Sequence, residues 1–380
     1  MVRLILGKEL PEDGPTDNRF TRAASYMSEW LADGSLKQDE APSIYVYEQH
    51  YQWKGEPKTV RGFVALVKIQ SYDENVVLPH ENTLAKPKSH LVPLIRATKS
   101  NLDSVYALYP DRERVVDLVL DRAAELEPSL EATDRNGVRH RLWVVSDEKD
   151  IALISDTLAD RQIVIADGHH RYETSLGYRD ELRAADGNPA EEKPYDYVMM
   201  TLVNVYAPDV IIFPTHRMVR NLPSDALDRL DEKLREGFEL VESSRDTLQI
   251  DMERVGGKGI GIYRPGRAYI AVPREGAVEG IPGSDALKNL DLSVLHQLIL
   301  DRILGIDAER LRQEANVVYT RDETEAFDSV DKGDFQLAFL LNPIELETVL
   351  NVAQAGDRMP QKATYFYPKL LSGLVMRKIE

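Results

Sequence analysis

The stretch IVIADGHHRYET at residues 163–174 decides the fold. It begins with a continuously apolar, mostly β-branched run, which is typical of a short strand covered on both faces, and the chain then turns at Gly168. Tyr172, Leu176 and Leu182 recur at roughly helical spacing, so a helix is predicted directly after the turn. A helix N-terminus presents backbone N–H groups and the positive end of the helix dipole. The stretch therefore predicts an anion-binding turn between a buried strand and a helix.

Three side chains of this turn, His169, His170 and Arg171, would strengthen the binding of a phosphate or carboxylate. The alternative is a glycine turn whose polar residues only cap the helix. Adjacent histidines project about 100° apart on a helix, so they are not expected to bind one metal ion together. His169 and Glu173 share a face, but one histidine–carboxylate pair is a weak indication of zinc. Asp167, at the strand end, is a candidate ligand for hydrated Mg²⁺, which uses one or two carboxylates together with substrate phosphates.

Composition restricts the function classes. The chain has 380 residues, a length that favours two domains, and 47 basic against 64 acidic residues give a net charge of −17. This charge argues against a nucleic-acid partner, because nucleic-acid binders neutralise phosphates with basic patches. The absence of cysteine excludes disulfides, thiolate zinc sites and cysteine nucleophiles. No apolar run approaches the roughly 20 residues of a membrane span. We therefore expect a cytoplasmic protein without a membrane partner, and a homo-oligomer is left open.

Strand and helix patterns alternate along the chain, so we expect an α/β or α+β fold with a mixed sheet. The polar loop 184–194 predicts a boundary between a phosphate-binding region at 1–186 and a C-terminal α+β region at 187–380 that packs on the site. The run MVRLILG at residues 1–7 suggests that the chain opens almost inside a strand and that a preceding segment is missing. The remaining patterns predict helices at 19–33, 112–126, 148–159, 225–238, 291–303 and 344–355, and hairpins at 43–72, 130–144 and 258–273.

Three further segments are candidates for the site. In HENT at residues 80–83, Thr83 is a plausible helix N-cap, whereas a carboxylate such as Glu81 beside a phosphate site could accept a proton from an attacking hydroxyl. In PTHR at 214–217, a histidine and an arginine end an apolar strand, where a structural role is the alternative. The segment MPQKATYFYPK at 359–369 is aromatic and basic in an acidic protein, and is either ligand-facing or an edge of the core. The glycine-rich run 256–261 precedes an alternating strand and is interpreted as a hairpin lead-in.

These segments together resemble a bacterial and archaeal family catalogued as domain of unknown function 1015, over essentially the whole chain. The motifs that carry the resemblance are HExT at 80–83 with RAT at 96–98, ADGHHRYET at 166–174 and the segment 359–369. The DGHxR element is also similar to the nucleotide-binding turn of the ParB and sulfiredoxin-like superfamily, to which the free-serine kinases belong. Two departures stand out: an upstream segment with a Pro-Pro-Tyr-Asp-like motif is not present, and His90-Leu91 stands where the family tends to carry Asp-Arg.

The resemblance implies a ParB/sulfiredoxin-like nucleotide-binding core and a small-molecule kinase that uses Mg²⁺ and ATP or ADP to phosphorylate a hydroxyl, most plausibly that of free L-serine. Gly168, His169, His170 and Arg171 would then hold phosphates, Asp167 would lie at the metal or substrate, and Glu81 would be the base. The remaining candidate substrate-binding residues are His80, Thr83, His216, Arg217, Lys362, Tyr365 and Lys369. The alternatives are a ParB-like nucleotide-binding regulatory protein and a metal-dependent hydrolase.

Overall fold

The chain forms two compact units. The computed structural model describes residues 1–81, 85–207, 209–256, 258–313, 315–360 and 362–379. The first unit comprises Met1–Pro79, Thr83–Val210 and Pro368–Glu380, and the second comprises His80–Asn82 and Ile211–Tyr367. The first unit is therefore assembled from three chain segments and the second from two.

The strands, in chain order, are β1 (Ile44–Trp53), β2 (Glu56–Lys68), β3 (Val77–Pro79), β4 (Ser100–Asn101), β5 (Val105–Tyr109), β6 (Leu130–Thr133), β7 (Arg139–Val145), β8 (Ile163–Asp167), β9 (Tyr197–Asn204), β10 (Ile211–Phe213), β11 (His216–Val219), β12 (Phe238–Ser243), β13 (Ile260–Arg264), β14 (Arg267–Pro273), β15 (Val317–Thr320), β16 (Leu337–Leu340), β17 (Tyr365–Tyr367) and β18 (Arg377–Lys378).

The α-helices are α1 (Val2–Ile5), α2 (Arg19–Ala32), α3 (Ala85–Thr98), α4 (Val115–Ala124), α5 (Glu148–Leu158), α6 (His169–Ala185), α7 (Ser224–Asp228), α8 (Leu230–Gly237), α9 (Leu248–Arg254), α10 (Asp285–Lys288), α11 (Asp291–Val294), α12 (Ala308–Arg312), α13 (Glu323–Asp331) and α14 (Leu346–Gln354). A π-helix, Leu295–Ile303, continues α11, and short 3₁₀ turns occur at Tyr72–Glu74 and Pro194–Asp196. Within the described part of the chain, no helix is both long enough and apolar enough to cross a membrane.

The first unit is built on an eight-stranded mixed sheet in the order β3-β8-β5-β9-β2-β1-β7-β6. The pairs β3–β8 and β5–β9 are parallel, and the other neighbours are antiparallel. Because β8 lies inside the sheet, its side chains are covered on both faces, and Val164 and Ile165 are fully buried. The main core packs Tyr172 of α6 with Ile165 and Phe63. The sheet thus holds the start of α6 in a fixed position.

The second unit contains a six-stranded antiparallel sheet in the order β12-β14-β13-β16-β11-β15 and a separate pair, β10–β17. Its core includes Met218, Ile270 and Leu340 from the strands and Phe327 from α13. In this sheet β11, which begins at His216, lies between β16 and β15.

The expected mixed α/β class is confirmed, but two details of the expectation differ from the structure. The boundary lies at Val210 rather than after residue 186, because β9 follows the polar loop and pairs with β2 and β5 inside the first sheet. The segment 368–380 also returns to the first unit. The prediction that the chain opens in a strand is wrong: Val2–Ile5 form a short helix, whose Leu4 is buried against α2.

Candidate functional site

The turn between β8 and α6 has the geometry that the sequence predicts. Gly168 is the N-cap of α6 with φ +90°, in the left-handed region that favours glycine, and α6 has no side-chain cap. Its carbonyl oxygen accepts hydrogen bonds from the N–H groups of Arg171 (2.8 Å) and Tyr172 (3.1 Å). The first turn of α6 carries no acidic residue. The positive end of the helix dipole is therefore not offset by a carboxylate on the helix itself.

Arg171 folds back over this turn. A Cβ added at Gly168 would lie 2.7 Å from Nε and 2.8 Å from Nη2 of Arg171, so the glycine makes room for the guanidinium. Nη1 pairs with Oδ2 of Asp103 at 2.8 Å and donates to the carbonyl of Ser104 at 2.5 Å. Burial raises the pKa of Asp103, although the charge of Arg171 opposes this change. The loop before β5 thus fixes the guanidinium beside the N-terminus of α6.

Asp167, the last residue of β8, pairs with Lys369 from the C-terminal segment, with 2.7 Å between Oδ2 and Nζ. Burial alone would raise the pKa of Asp167, but Lys369, Arg171 and the N–H of Gly168 outweigh burial and hold it below its ordinary value. The carboxylate is therefore ionised at neutral pH. Lys369 was predicted to bind substrate, and in the structure it forms an ion pair with Asp167 at the turn.

The C-terminal segment is tied to β1 by two hydrogen bonds that have no local sequence signal. Gln49 donates from Nε2 to the carbonyl of Lys369 at 2.9 Å. The N–H of Leu371 donates to the hydroxyl of Tyr47 (3.1 Å), and this hydroxyl is also hydrogen-bonded to Nδ1 of His140 in β7 (2.7 Å). These bonds fix the backbone that carries Lys369 next to Asp167.

The two histidines of the turn differ in exposure. His169 is buried with 4% of its surface exposed, whereas His170 is half-buried. A cavity of about 90 Å³ lies beside the same turn, next to Arg171, and is walled mainly by aliphatic side chains such as Leu94 and Leu102. Such an apolar surface next to polar groups is typical of a small-molecule site. The role of the histidines in phosphate binding stays a prediction.

The segment 80–82 belongs to the second unit, where it meets the motif at 359–369. Glu81 forms a parallel bridge with Met359, and the N–H of Met359 donates to the carbonyl of His80 at 2.7 Å. Nε2 of His80 lies 2.8 Å from Oγ1 of Thr364. One carboxylate oxygen of Glu81 is buried. Two segments that are far apart in sequence therefore meet within the second unit. The predicted residue Thr83 lies outside the described residues.

Arg217 and Lys362 share one aromatic ring in the second unit. The guanidinium carbon of Arg217 lies 5.4 Å from the ring centre of Tyr319, and Nζ of Lys362 lies 4.3 Å from it. Arg217 is fully buried and donates to the carbonyls of Thr215 and Lys362. Tyr365 is similarly covered by Arg321, whose guanidinium carbon is 3.8 Å from the ring centre. The sequence reasoning missed Tyr319, whose single aromatic side chain in β15 gives no local signal.

His216 is hydrogen-bonded to the backbone of this unit. Its Nδ1 accepts the N–H of Leu341 at 3.3 Å. Burial, followed by the charge of Arg217, lowers its pKa to about 4, so the ring is neutral at physiological pH. The predicted pair His216–Arg217 therefore consists of one neutral ring and one buried cation.

The donor set at the turn fits magnesium only in combination with a nucleotide. The described residues contain no group of three or more histidine, aspartate or glutamate side chains that could hold a metal ion. Asp167 supplies one ionised carboxylate at the α6 turn. This matches the small contribution that proteins make to Mg²⁺ bound mainly by phosphates and water.

The fold and site define a two-unit α/β protein with two ion-paired cations, Arg171 and Lys369, at a helix N-terminus. The chain belongs to the family described as protein of unknown function DUF1015, whose model matches residues 1–293. A search of curated proteins gave no match.

Several solved structures are similar to this chain at low identity. One is described as free serine kinase in complex with AMP (TM-score 0.40, 13% identity, covering 80% of this chain and 86% of that one). A conserved hypothetical protein from Pyrococcus furiosus has a TM-score of 0.41 at 11% identity and covers 83% of this chain and 95% of that one. A C-terminally truncated SbnI from Staphylococcus aureus has a TM-score of 0.40 at 9% identity, covering 81% and 85%.

Proposed function

We propose that this protein is a small-molecule kinase that transfers a phosphoryl group from ATP or ADP to a hydroxyl, with free L-serine as the acceptor and O-phosphoserine as the product. The observation that carries the proposal is the N-terminus of α6, which begins without a side-chain cap and has Arg171 and Lys369 beside it in a protein of net charge −17. Phosphoryl transfer needs mainly positioning and stabilisation of spreading negative charge. In this proposal the uncapped N–H groups of α6 and the ion-paired side chains of Arg171 and Lys369 supply both.

The donor phosphates bind at the turn in this proposal. Backbone N–H groups at the start of α6 and the side chains of His169, His170 and Arg171 contact phosphate oxygens, and glycine at 168 allows close approach. Asp167 holds the Mg²⁺ of the nucleotide complex, which would neutralise phosphate charge. The nucleoside lies against the apolar cavity next to Arg171.

Glu81 is the proposed general base. The acceptor oxygen forms a bond to the terminal phosphorus while the bond from that phosphorus to the bridging oxygen breaks, and the hydroxyl proton passes to the Glu81 carboxylate. The bridge to Met359 and the hydrogen bond between His80 and Thr364 fix the backbone on either side of this carboxylate. Acceptor contacts are proposed for His80, Thr83, His216, Arg217, Lys362, Tyr365 and Lys369.

Two variants test the assignment of roles. Glu81→Gln keeps the shape of the side chain but cannot accept a proton, so transfer should be lost while ADP affinity stays nearly unchanged. Arg171→Ala should weaken ADP binding because it removes a cation beside the phosphates. Glu232→Gln, an exposed position on α8 of the second unit, serves as the matched control and should behave as wild type. Equal loss of ADP binding in the Glu81 and Arg171 variants, measured by calorimetry, would contradict the assignment.

A further inference from the structure

Arg217 is a fully buried cation with one unsatisfied hydrogen-bond donor in the described part of the chain. None of its surface is exposed, and among the described residues its contacts are two carbonyl oxygens and the face of Tyr319. Its Nε atom is buried and has no hydrogen-bond partner in the described part of the chain. A buried charge is costly unless an opposite charge and hydrogen bonds compensate it. Nε–H of Arg217 therefore lacks an acceptor among the described residues.

Three titratable side chains, His216, His296 and Asp291, interact electrostatically with Arg217. Burial, followed by the charge of Arg217, lowers the pKa of His216 to about 4 and that of His296 to about 3, so both rings are neutral. Burial raises the pKa of Asp291 to about 6. Its oxygens accept the N–H of Leu292 at 2.6 Å and the N–H of Asn342 at 2.9 Å. Asp291 is thus hydrogen-bonded to backbone groups and also attracts the guanidinium through its charge, but Nε–H of Arg217 still has no acceptor among the described residues.

Two more buried groups of the same unit lack partners in the described part of the chain. They are Oγ of Ser293 and Nε2 of His296, on side chains with 3% and 8% of their surface exposed. Their spacing of three residues places them on one face of the helix that runs from α11 into the π-helix. The start of α11 lies close to β11, because the N–H of Leu341 donates to Nδ1 of His216 (3.3 Å) and the N–H of the next residue, Asn342, donates to Asp291 (2.9 Å). π-Helical turns are frequent at functional sites.

We propose that Arg217, Ser293 and His296 form a buried subsite for a small carboxylate, which in the proposed function is the carboxylate of the acceptor amino acid. The naming of the acceptor rests on the proposed function, whereas the subsite itself rests on these three side chains. One guanidinium and two neutral donors match the single charge of a carboxylate better than the double charge of a phosphate. Nε–H of Arg217, the hydroxyl of Ser293 and Nε2–H of His296 each donate one hydrogen bond to its oxygens.

Arg217→Met tests the subsite on the full chain. Replacing a fully buried cation that has an unsatisfied donor by an apolar side chain of similar length should keep or raise the Tm of the ligand-free protein. L-serine and D-glycerate should raise the Tm of the wild type, whereas ethanolamine, which lacks a carboxylate, should not. The Arg217 variant should lose the response to both carboxylates. Arg245→Met is the matched control, because Arg245 is an arginine of the same unit that is ion-paired with Asp328 at 2.5 Å.

Three further variants test the subsite and leave Arg217 unchanged. Ser293→Ala should weaken L-serine binding about tenfold, the effect expected for one lost hydrogen bond to a charged group, with ADP binding unchanged. His296→Leu should have a similar effect, and His296→Gln should restore binding because its amide can donate. If Ser293 and His296 had a purely structural role, these variants would change the Tm but not the affinity for L-serine.

The outcomes separate the subsite from the kinase function. Full L-serine binding by Arg217→Met, equal binding of ethanolamine and L-serine, or no binding of either carboxylate by the wild type would overturn the subsite. L-serine binding that depends on Arg217, in a protein that transfers no phosphoryl group, would support the subsite and refute the kinase function. Transfer to L-serine with an unchanged KM in Arg217→Met would support the kinase function and refute the subsite.

Discussion

Gly168→Ala tests the geometry of the proposed phosphate-binding turn. Gly168 has φ +90°, and a non-glycine residue in the left-handed region costs about 1–2 kcal/mol. The added methyl would also lie 2.7 Å from Nε and 3.0 Å from Cζ of Arg171, so the guanidinium must move. That movement breaks the bonds of Arg171 to Asp103 and to the carbonyl of Ser104. Loss of one charge-assisted contact to a phosphate costs roughly 1.5–3 kcal/mol, so ADP affinity should fall about 10- to 100-fold.

A matched glycine separates backbone strain from displacement of Arg171. Gly187 follows α6 at its opposite end, has φ +74° and has no atom within 4 Å of an added Cβ. Gly187→Ala should therefore lose a similar amount of stability but bind ADP within about twofold of wild type, since no contact changes. Calorimetric titration with ADP and thermal unfolding of both variants give the comparison. Wild-type ADP affinity in Gly168→Ala would refute the role of the turn.

Three further substitutions test the electrostatics and the attachment of the C-terminal segment. Lys369→Met removes the main cause of the lowered pKa of Asp167. The wild type should lose stability as the pH falls below about 3.8, and the variant should lose less, as measured by urea unfolding at several pH values. Tyr47→Phe leaves the N–H of Leu371 unpaired; it should cost roughly 1–3 kcal/mol and speed hydrogen exchange at residues 368–379. Burial raises the pKa of Asp291 from 3.8 to about 6. The free energy of unfolding of the wild type should therefore fall by roughly 3 kcal/mol as the pH rises through that range, and this fall should be smaller in Asp291→Asn.

The β8–α6 turn could be predicted because its signals are local. The apolar run, the Asp-Gly break and the helical spacing after it each act within a few residues, and the strand Ile163–Asp167 and the helix from His169 follow them. The helix predicted at 291–303 was also found, but its π-helical part was not predicted, since apolar periodicity does not distinguish a π-helix from an α-helix.

The partners of the turn could not be predicted because they come from distant parts of the chain. Lys369 is separated from Asp167 by 202 residues, and Asp103 lies 68 residues before Arg171 in a loop without a motif. The aromatic and basic composition around Lys369 indicated an unusual segment, but not that it returns to the first unit. Tertiary pairing of this kind depends on the sheet order, which one sequence does not specify.

The candidate acceptor residues show the same limit. Glu81 was selected because a carboxylate can accept a proton, yet its position in the second unit follows from a bridge to Met359 that no local pattern indicates. Arg217 was expected at a strand end, where an arginine is ordinarily exposed, and its complete burial is visible only in the structure.

Phosphorus NMR tests the central claim most directly. The full chain is incubated with Mg²⁺, L-serine and, in separate samples, ATP or ADP, beside a serine-free sample and the Glu81→Gln variant. The kinase function predicts a phosphomonoester signal that requires L-serine and is missing with Glu81→Gln. Nucleotide binding without any such signal from the wild-type protein, with either donor, would contradict it.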